Sequence, residues 1–122
     1  MKKIWIFIGL SGALAVVAGA MSAHLLADML NTKELARIQT AATYQMYHTI
    51  VMAALCVYYQ FKPSPIIKLS CILFTLAIVL FSGSLYLYTA TYYHPLVFLT
   101  PMGGLLFIVG WLNLTRLAID KP

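Results

Sequence analysis

Six polar side chains stand inside long apolar stretches of this sequence, and they are the residues best placed to do chemistry. A histidine, an amide or a hydroxyl is costly inside hydrocarbon, so such residues are retained for hydrogen bonding or for binding. The six residues are His24, Gln45, His48, Ser82, Ser84 and Thr100. The first interpretation is a packing network, in which His48 and Gln45 bond to Ser82 or Thr100. The second is a small cavity that binds a lipid headgroup, a quinone-like molecule or an ion.

A metal or haem site is the most specific chemistry that these residues could support. His24 and His48 could ligate one metal ion or the two faces of a haem, and Asp28 could add a carboxylate. Two histidines and one aspartate match no specific ligand spacing such as a His-Glu-x-x-His motif. We therefore expect no cofactor, and we keep these three residues as the alternative metal ligands.

The sequence lacks the motifs of known catalytic sites. It has no carboxylate pair, no Gly-x-Ser-x-Gly turn and no phosphate-binding glycine loop. Ser82 and Ser84 flank Gly83, and serines beside glycine in an apolar helix are usually packing residues rather than nucleophiles. No catalytic residue is assigned, and we expect a protein that is not an enzyme.

The composition is typical of a membrane protein. Of the 122 residues, 62% are apolar and 9% are charged, against roughly 25% charged in an ordinary soluble domain. The net charge of +5 does not indicate nucleic-acid binding, because the eight Lys and Arg residues lie at the ends of apolar runs and form no patch. The lipid bilayer is therefore the expected environment.

Four apolar stretches are long enough to cross a bilayer, for which a helix needs about 20 residues. They cover residues 4–27, 41–61, 66–91 and 96–114. This pattern predicts an all-α fold, a four-helix transmembrane bundle that forms one domain over 1–122. In the longer outer connection, 28–40, Asn31 or Thr32 can cap a helix that runs on into the second stretch. The first stretch begins like a secretory signal, but it is longer than a signal core, so we expect a retained helix.

The basic residues predict the orientation, because Lys and Arg accumulate on the cytoplasmic side of membrane proteins. With the amino terminus inside, six of them are cytoplasmic and only Lys33 and Arg37 are outside. The six are Lys2, Lys3, Lys62, Lys68, Arg116 and Lys121. Both termini are therefore expected in the cytoplasm, and the six polar side chains are expected at one depth in the outer leaflet.

Small residues predict close helix packing, which is how helices associate in lipid. The first helix carries Ala15, Gly19, Ala23 and Ala27 at four-residue spacing, and the fourth carries Gly103, Gly104 and Gly110. Such faces favour a homo-oligomer or a complex with a membrane-protein partner. The expected role is structural or accessory, in membrane organisation.

Residue groups in all four predicted helices resemble those of one family. The groups are Gly19-Ala20-Met21-Ser22-Ala23-His24, Ile38-Gln39-Thr40 with Tyr44-Gln45-Met46-Tyr47-His48, Leu80-Phe81-Ser82-Gly83-Ser84-Leu85-Tyr86, and Thr100-Pro101-Met102-Gly103-Gly104 with Gly110-Trp111. This pattern is similar to the YgdD-like family, small bacterial inner-membrane proteins of unknown function with eukaryotic transmembrane relatives. The resemblance implies a four-helix protein of the bacterial cytoplasmic membrane and brings no activity with it. Ser22 departs from the pattern, because relatives typically have glycine there.

Overall fold

A computed structural model describes residues 1 to 120, and every regular element in that range is helical. The α-helices are α1 (Lys2–Ala23), α2 (Thr32–Phe61), α3 (Pro65–Thr91) and α4 (Leu99–Leu114), and two 3₁₀ helices cover His94–Phe98 and Thr115–Ala118. Three segments are long and apolar enough to cross a membrane, namely Lys2–Ala23, Pro65–Thr91 and His94–Ala118. The α2 helix is long enough, but it is less apolar because Gln45 and His48 interrupt it.

The α2 helix begins at Thr32, well before residue 41, where the second stretch was expected to start. The Asn31 side chain accepts a hydrogen bond from the Glu34 backbone N–H at 2.9 Å, and the Glu34 carboxylate accepts one from the Asn31 N–H at 3.0 Å. This reciprocal pair is a capping box, which satisfies two N–H groups that would otherwise lack partners. The prediction of a helix capped at Asn31 that continues into the second stretch is confirmed.

The ends of the other helices also differ from the expected ones. The α1 helix stops at Ala23 instead of continuing to Ala27, because His24 leaves the helical region with φ −120° and ψ −78°. The residues after it turn the chain towards Asn31. Before α4, the segment that contains Pro95 forms a tighter 3₁₀ helix, so the α-helix begins at Leu99 rather than at residue 96.

The central pair of the fold is α2 and α3, with α1 packed against α2 and α4 packed against α3. The core where these helices meet holds the most completely buried side chains, among them Met52, Ile67 and Phe74. Cys56 and Cys71 lie in the same cluster as free, buried thiols. Each thiol therefore serves as a small apolar side chain, as is common for buried cysteine.

Two glycines let α4 approach α3 closely. A Cβ atom on Gly103 would lie 2.4 Å from the Phe81 backbone nitrogen, and one on Gly110 would lie 2.5 Å from Cε1 of Phe74. The packing role predicted for these two glycines is confirmed. On α1, by contrast, Ala15 is buried, but Ala23 is exposed and Gly19 has open space beside it, so the four-residue stripe is not one continuous contact.

A clasp, made of Glu34, Arg37, Tyr88, Thr89 and Tyr92, joins the start of α2 to the end of α3. The Tyr92 hydroxyl donates to the Glu34 carboxylate at 2.5 Å, and the Arg37 guanidinium lies 4.6 Å above the Tyr88 ring and donates to Thr89. The pKa of Glu34 is lowered mainly by the hydrogen bond from Tyr92 and next by the bond from the Asn31 backbone N–H. The same carboxylate raises the pKa of Tyr92.

These pKa shifts predict how the clasp depends on pH. A carboxylate whose pKa is lowered by folding stabilises the fold above its unfolded pKa of about 4.3, and this contribution is lost as the pH falls through the folded value. We expect Tyr92→Phe to lower the melting temperature at pH 7, and the difference from the parent protein to shrink below about pH 4. Thermal unfolding of both proteins in detergent at several pH values measures this difference in melting temperature. A difference that stays constant from pH 7 to pH 3 contradicts this prediction.

Candidate functional site

Gln45 is the centre of a hydrogen-bond network that joins three helices. It is buried on α2, and its Nε2 donates to the Ser11 carbonyl of α1 at 2.9 Å and to Ser11 Oγ at 3.2 Å. Its Oε1 accepts a hydrogen bond from the Tyr86 hydroxyl of α3 at 2.8 Å. Thr49 donates to the Gln45 carbonyl, so the Ser11 hydroxyl is the donor in the 2.8 Å contact between Ser11 and Thr49.

Three further predicted residues make bonds of the same kind between helices. Ser82 of α3 donates to the Ala41 carbonyl of α2 at 2.7 Å. Ser84 donates to the Phe81 carbonyl, so its oxygen accepts from Thr100 of the α4 helix in the 2.5 Å contact between the two hydroxyls. Each hydroxyl is therefore bonded to protein, and the bond from Ser82 to Ala41 and the contact between Ser84 and Thr100 each fix one helix against the next.

His48 is held as a neutral ring between α2 and α4. Its Nδ1 lies 2.7 Å from the Tyr44 carbonyl, which can only accept, so Nδ1 carries the proton. Its Nε2 accepts a hydrogen bond from the Trp111 indole N–H at 3.0 Å. The ring also stacks on Phe107 with a centroid separation of 3.8 Å. The nitrogen lone pair that a metal would need is therefore already occupied by Trp111.

A substitution at His48 tests this contact. His48→Phe keeps an aromatic ring against Phe107 but removes the acceptor of the Trp111 N–H. Because single interhelical hydrogen bonds in membrane proteins contribute about 0.6 kcal/mol, we expect a loss of stability below about 1 kcal/mol. The emission of Trp111 should shift to the blue, measured in a Trp5→Phe background that leaves one indole. An unchanged emission spectrum contradicts the contact.

The other five predicted residues make separate contacts between helices, and His24 lies apart from all of them. It is exposed after the end of α1, about 20 Å along the helix axis from Ser11, which marks the level of the Gln45 network. Within residues 1 to 120 no three His, Cys, Asp or Glu side chains converge on one point. The alternative metal ligands His24, Asp28 and His48 are therefore not assembled.

The six polar side chains do not share one height in the bundle, because His48 bonds to Trp111 and Ser84 contacts Thr100 at the other end of α4, while their leaflet stays a prediction. Ser11 lies near the middle of α1, so the Gln45 network lies at mid-height along that helix. The α1 and α3 helices are offset along their axes. Lys3, at the start of α1, lies beside Ile72 and Leu76 and not beside the start of α3. Counting residues from the predicted helix ends does not reveal this offset, so it gives the wrong relative heights for the polar side chains.

A second network, which includes none of the six predicted residues, joins α3 to α4 near their other ends. Ser70 donates to the Gly110 carbonyl at 2.9 Å, and Asn113 donates to the Ile66 carbonyl and to Ser70, each at 2.9 Å. Arg116 donates to the Asn113 side-chain oxygen at 2.9 Å. Asn113 stands out in the sequence as a lone amide in an apolar run, but a single serine such as Ser70 gives no comparable signal.

Over the described residues, every buried side-chain nitrogen or oxygen has a hydrogen-bond partner within the protein. In hydrocarbon such complete pairing offsets the cost of burying polar groups. The arrangement is suited to holding helices in register.

Two apolar grooves remain between helices that do not pack closely. One lies between α2 and α4, has a volume of about 950 Å³ and is lined by Tyr44, His48, Gly104, Phe107 and Trp111 among others. The other lies between α1 and α3 and includes Phe7 and Gly83 in its wall. No Asp or Glu lines either groove.

Long apolar helices that are joined by fully paired polar side chains define the class of small helical membrane proteins. Comparison with known proteins gives the family. A model described as "Protein of unknown function (DUF423)" matches residues 18–104. The chain belongs to this family, whose curated members carry the name UPF0382.

Relatives from three bacteria match nearly the whole chain. A UPF0382 membrane protein of Haemophilus influenzae is 38% identical over 93% of this chain and 90% of its own length. The UPF0382 inner membrane protein YgdD of Escherichia coli is 38% identical over 87% and 81%. A UPF0382 membrane protein of Staphylococcus saprophyticus is 40% identical over 92% and 93%. No solved structure matches. Neither the family description nor these names indicate an enzymatic activity.

Proposed function

We propose that this chain is a non-enzymatic structural or accessory protein of the bacterial cytoplasmic membrane, which crosses the bilayer four times with both termini in the cytoplasm. The observation that carries the proposal is that every buried side-chain nitrogen or oxygen in residues 1 to 120 has a hydrogen-bond partner within the protein, and that several of these bonds join two helices. A site that binds or transforms a polar molecule needs unpaired groups directed at it, whereas a structural protein needs them paired. The proposal therefore includes no cofactor, and metal analysis and an absorbance spectrum of the purified protein test that part.

The proposal treats α2 as the fourth membrane span. It connects the end of α1 to the start of α3 and packs along both helices. Its two most polar side chains in the apolar region, Gln45 and His48, are hydrogen-bonded within the protein. Their transfer into hydrocarbon therefore costs little free energy. Its 30 residues correspond to about 45 Å, which exceeds the roughly 30 Å of hydrocarbon and leaves its capped first turns in the outer interface.

Cysteine labelling tests the orientation. Cys56 and Cys71 are buried, so a cysteine introduced at Lys33 or at Lys62 is the main reactive thiol. In intact spheroplasts, a maleimide that cannot cross membranes should label Lys33→Cys but should label Lys62→Cys only after lysis. Labelling of Lys62→Cys before lysis would overturn the orientation, and labelling of both sites before lysis would overturn the number of spans.

The proposal also includes association with a second copy or with a membrane-protein partner. It is supported by the exposed face of α1, which carries Gly9, Ala13 and Ala20 and allows close approach of another helix. Cross-linking in membranes and native mass spectrometry in mild detergent should detect a complex that Ala13→Leu weakens. Ala54→Leu, at an exposed alanine of α2, is the matched control. A strict monomer without partners that retains a stoichiometric quinone, metal ion or haem would overturn the structural role.

A further inference from the structure

Two adjoining apolar pockets, together called the α1–α3 groove, lie between α1 and α3. Its lower part, between Lys3 and Ile72, has a volume of about 180 Å³. Its upper part, which reaches Leu14 and Gly83, has a volume of about 360 Å³. Phe7 lines both parts, so they follow one another along the two helices.

The height of the α1–α3 groove corresponds to one leaflet of a bilayer. From Lys3 to Leu14 the rise along α1 is about 16 Å. This is about half of the roughly 30 Å of hydrocarbon in a membrane. The groove therefore extends from the level of Lys3 to the middle of the hydrocarbon, which is the depth that a single lipid chain occupies.

The lower end of the groove is cationic. Lys3 lies in its wall, and Lys68 is exposed one turn before Ile72 on the same face of α3. No side chain caps α1, so the N–H groups of its first turn can also donate to an anion. The three acidic residues of the chain, Asp28, Glu34 and Asp120, lie outside both helices.

We propose that the α1–α3 groove binds an anionic phospholipid, with one acyl chain in the groove and the phosphate between Lys3 and Lys68. Apolar walls of leaflet height above a cationic lower end complement an anionic phospholipid better than an uncharged one. The assignment to the inner leaflet rests on the orientation in the proposed function. The binding itself depends only on the groove and its lysines.

Native mass spectrometry of the purified full chain in mild detergent tests the proposal. Phosphatidylglycerol and phosphatidylcholine with identical acyl chains are added separately. We expect one retained phosphatidylglycerol per chain and about a thirtyfold preference over phosphatidylcholine, because two lysines near an anionic headgroup together contribute about that factor. The double variant Lys3→Gln with Lys68→Gln should lose the preference. The control Lys33→Gln with Lys62→Gln, which removes two lysines elsewhere, should keep it.

A pair of glycines tests the acyl-chain part of the site. Gly83 lines the α1–α3 groove and Gly104 lines the other groove, and each has room for a larger side chain. Gly83→Leu should reduce retention of both lipids, and Gly104→Leu should not. Equal retention of the two lipids by the parent protein would overturn the proposal, as would equal effects of the two glycine variants.

The lipid-retention experiment and the cysteine-labelling experiment can fail independently of each other. Lipid retention in detergent does not depend on which side of the membrane the termini occupy. A lost phosphatidylglycerol preference with correct cysteine labelling overturns this inference alone. A kept preference with inverted labelling supports the groove and moves the lipid to the other leaflet.

Discussion

Gly103→Ala is expected to destabilise the fold by about 2 kcal/mol, in the range measured for overpacked interiors. The new methyl group would lie 2.4 Å from the Phe81 backbone nitrogen and 2.8 Å from its Cα. Backbone atoms in the middle of α3 cannot move aside as a side-chain tip can, so α4 must separate from α3. This cost exceeds the roughly 1 kcal/mol that alanine gains over glycine inside a helix.

The neighbouring glycine is the matched control for that prediction. A Cβ atom on Gly104 would be 3.9 Å from Phe81 Cδ2, an ordinary contact. Gly104→Ala should therefore be neutral or stabilising by up to about 1 kcal/mol. Unfolding of both variants in mixed micelles, followed by circular dichroism, measures the difference. Equal stabilities would mean that α4 does not approach α3 at Gly103.

Gln45→Leu should cost about 1 to 2 kcal/mol, because it removes the side chain that joins α1, α2 and α3. Two interhelical partners are lost, at about 0.6 kcal/mol for each bond. The buried Tyr86 hydroxyl is also left without its acceptor. The same unfolding assay measures the loss. Gln60→Leu, the same substitution at an exposed position of α2, should have almost no effect.

A double-mutant cycle separates the hydrogen bond from other effects at Gln45. Tyr86→Phe removes the donor hydroxyl, so the double variant should cost less than the sum of the two single variants. We expect a coupling of about 0.5 to 1 kcal/mol, as for other residues in direct contact. Strict additivity would show that Gln45 and Tyr86 do not bond in the folded protein.

The sequence by itself determined the helices and the kind of role that the polar residues have. Apolar runs longer than about 20 residues can satisfy their backbone in hydrocarbon only as helices, so element type follows directly from composition. The cap at Asn31 was equally predictable, because its residue types act within one turn. A polar residue in such a run must find a partner, and Gln45, Ser82 and Thr100 all do.

Only the tertiary structure decided which partners those residues have. The sequence suggested that Gln45 and His48 bond to Ser82 or Thr100, but their partners are Ser11, Tyr86 and Trp111. Helical periodicity defines the face of each side chain, but it does not define the neighbouring helix or the shift along its axis. That shift places Ser11 rather than His24 at the level of Gln45, and it therefore separates His24 from His48. It also creates the α1–α3 groove, which no local pattern in the chain encodes.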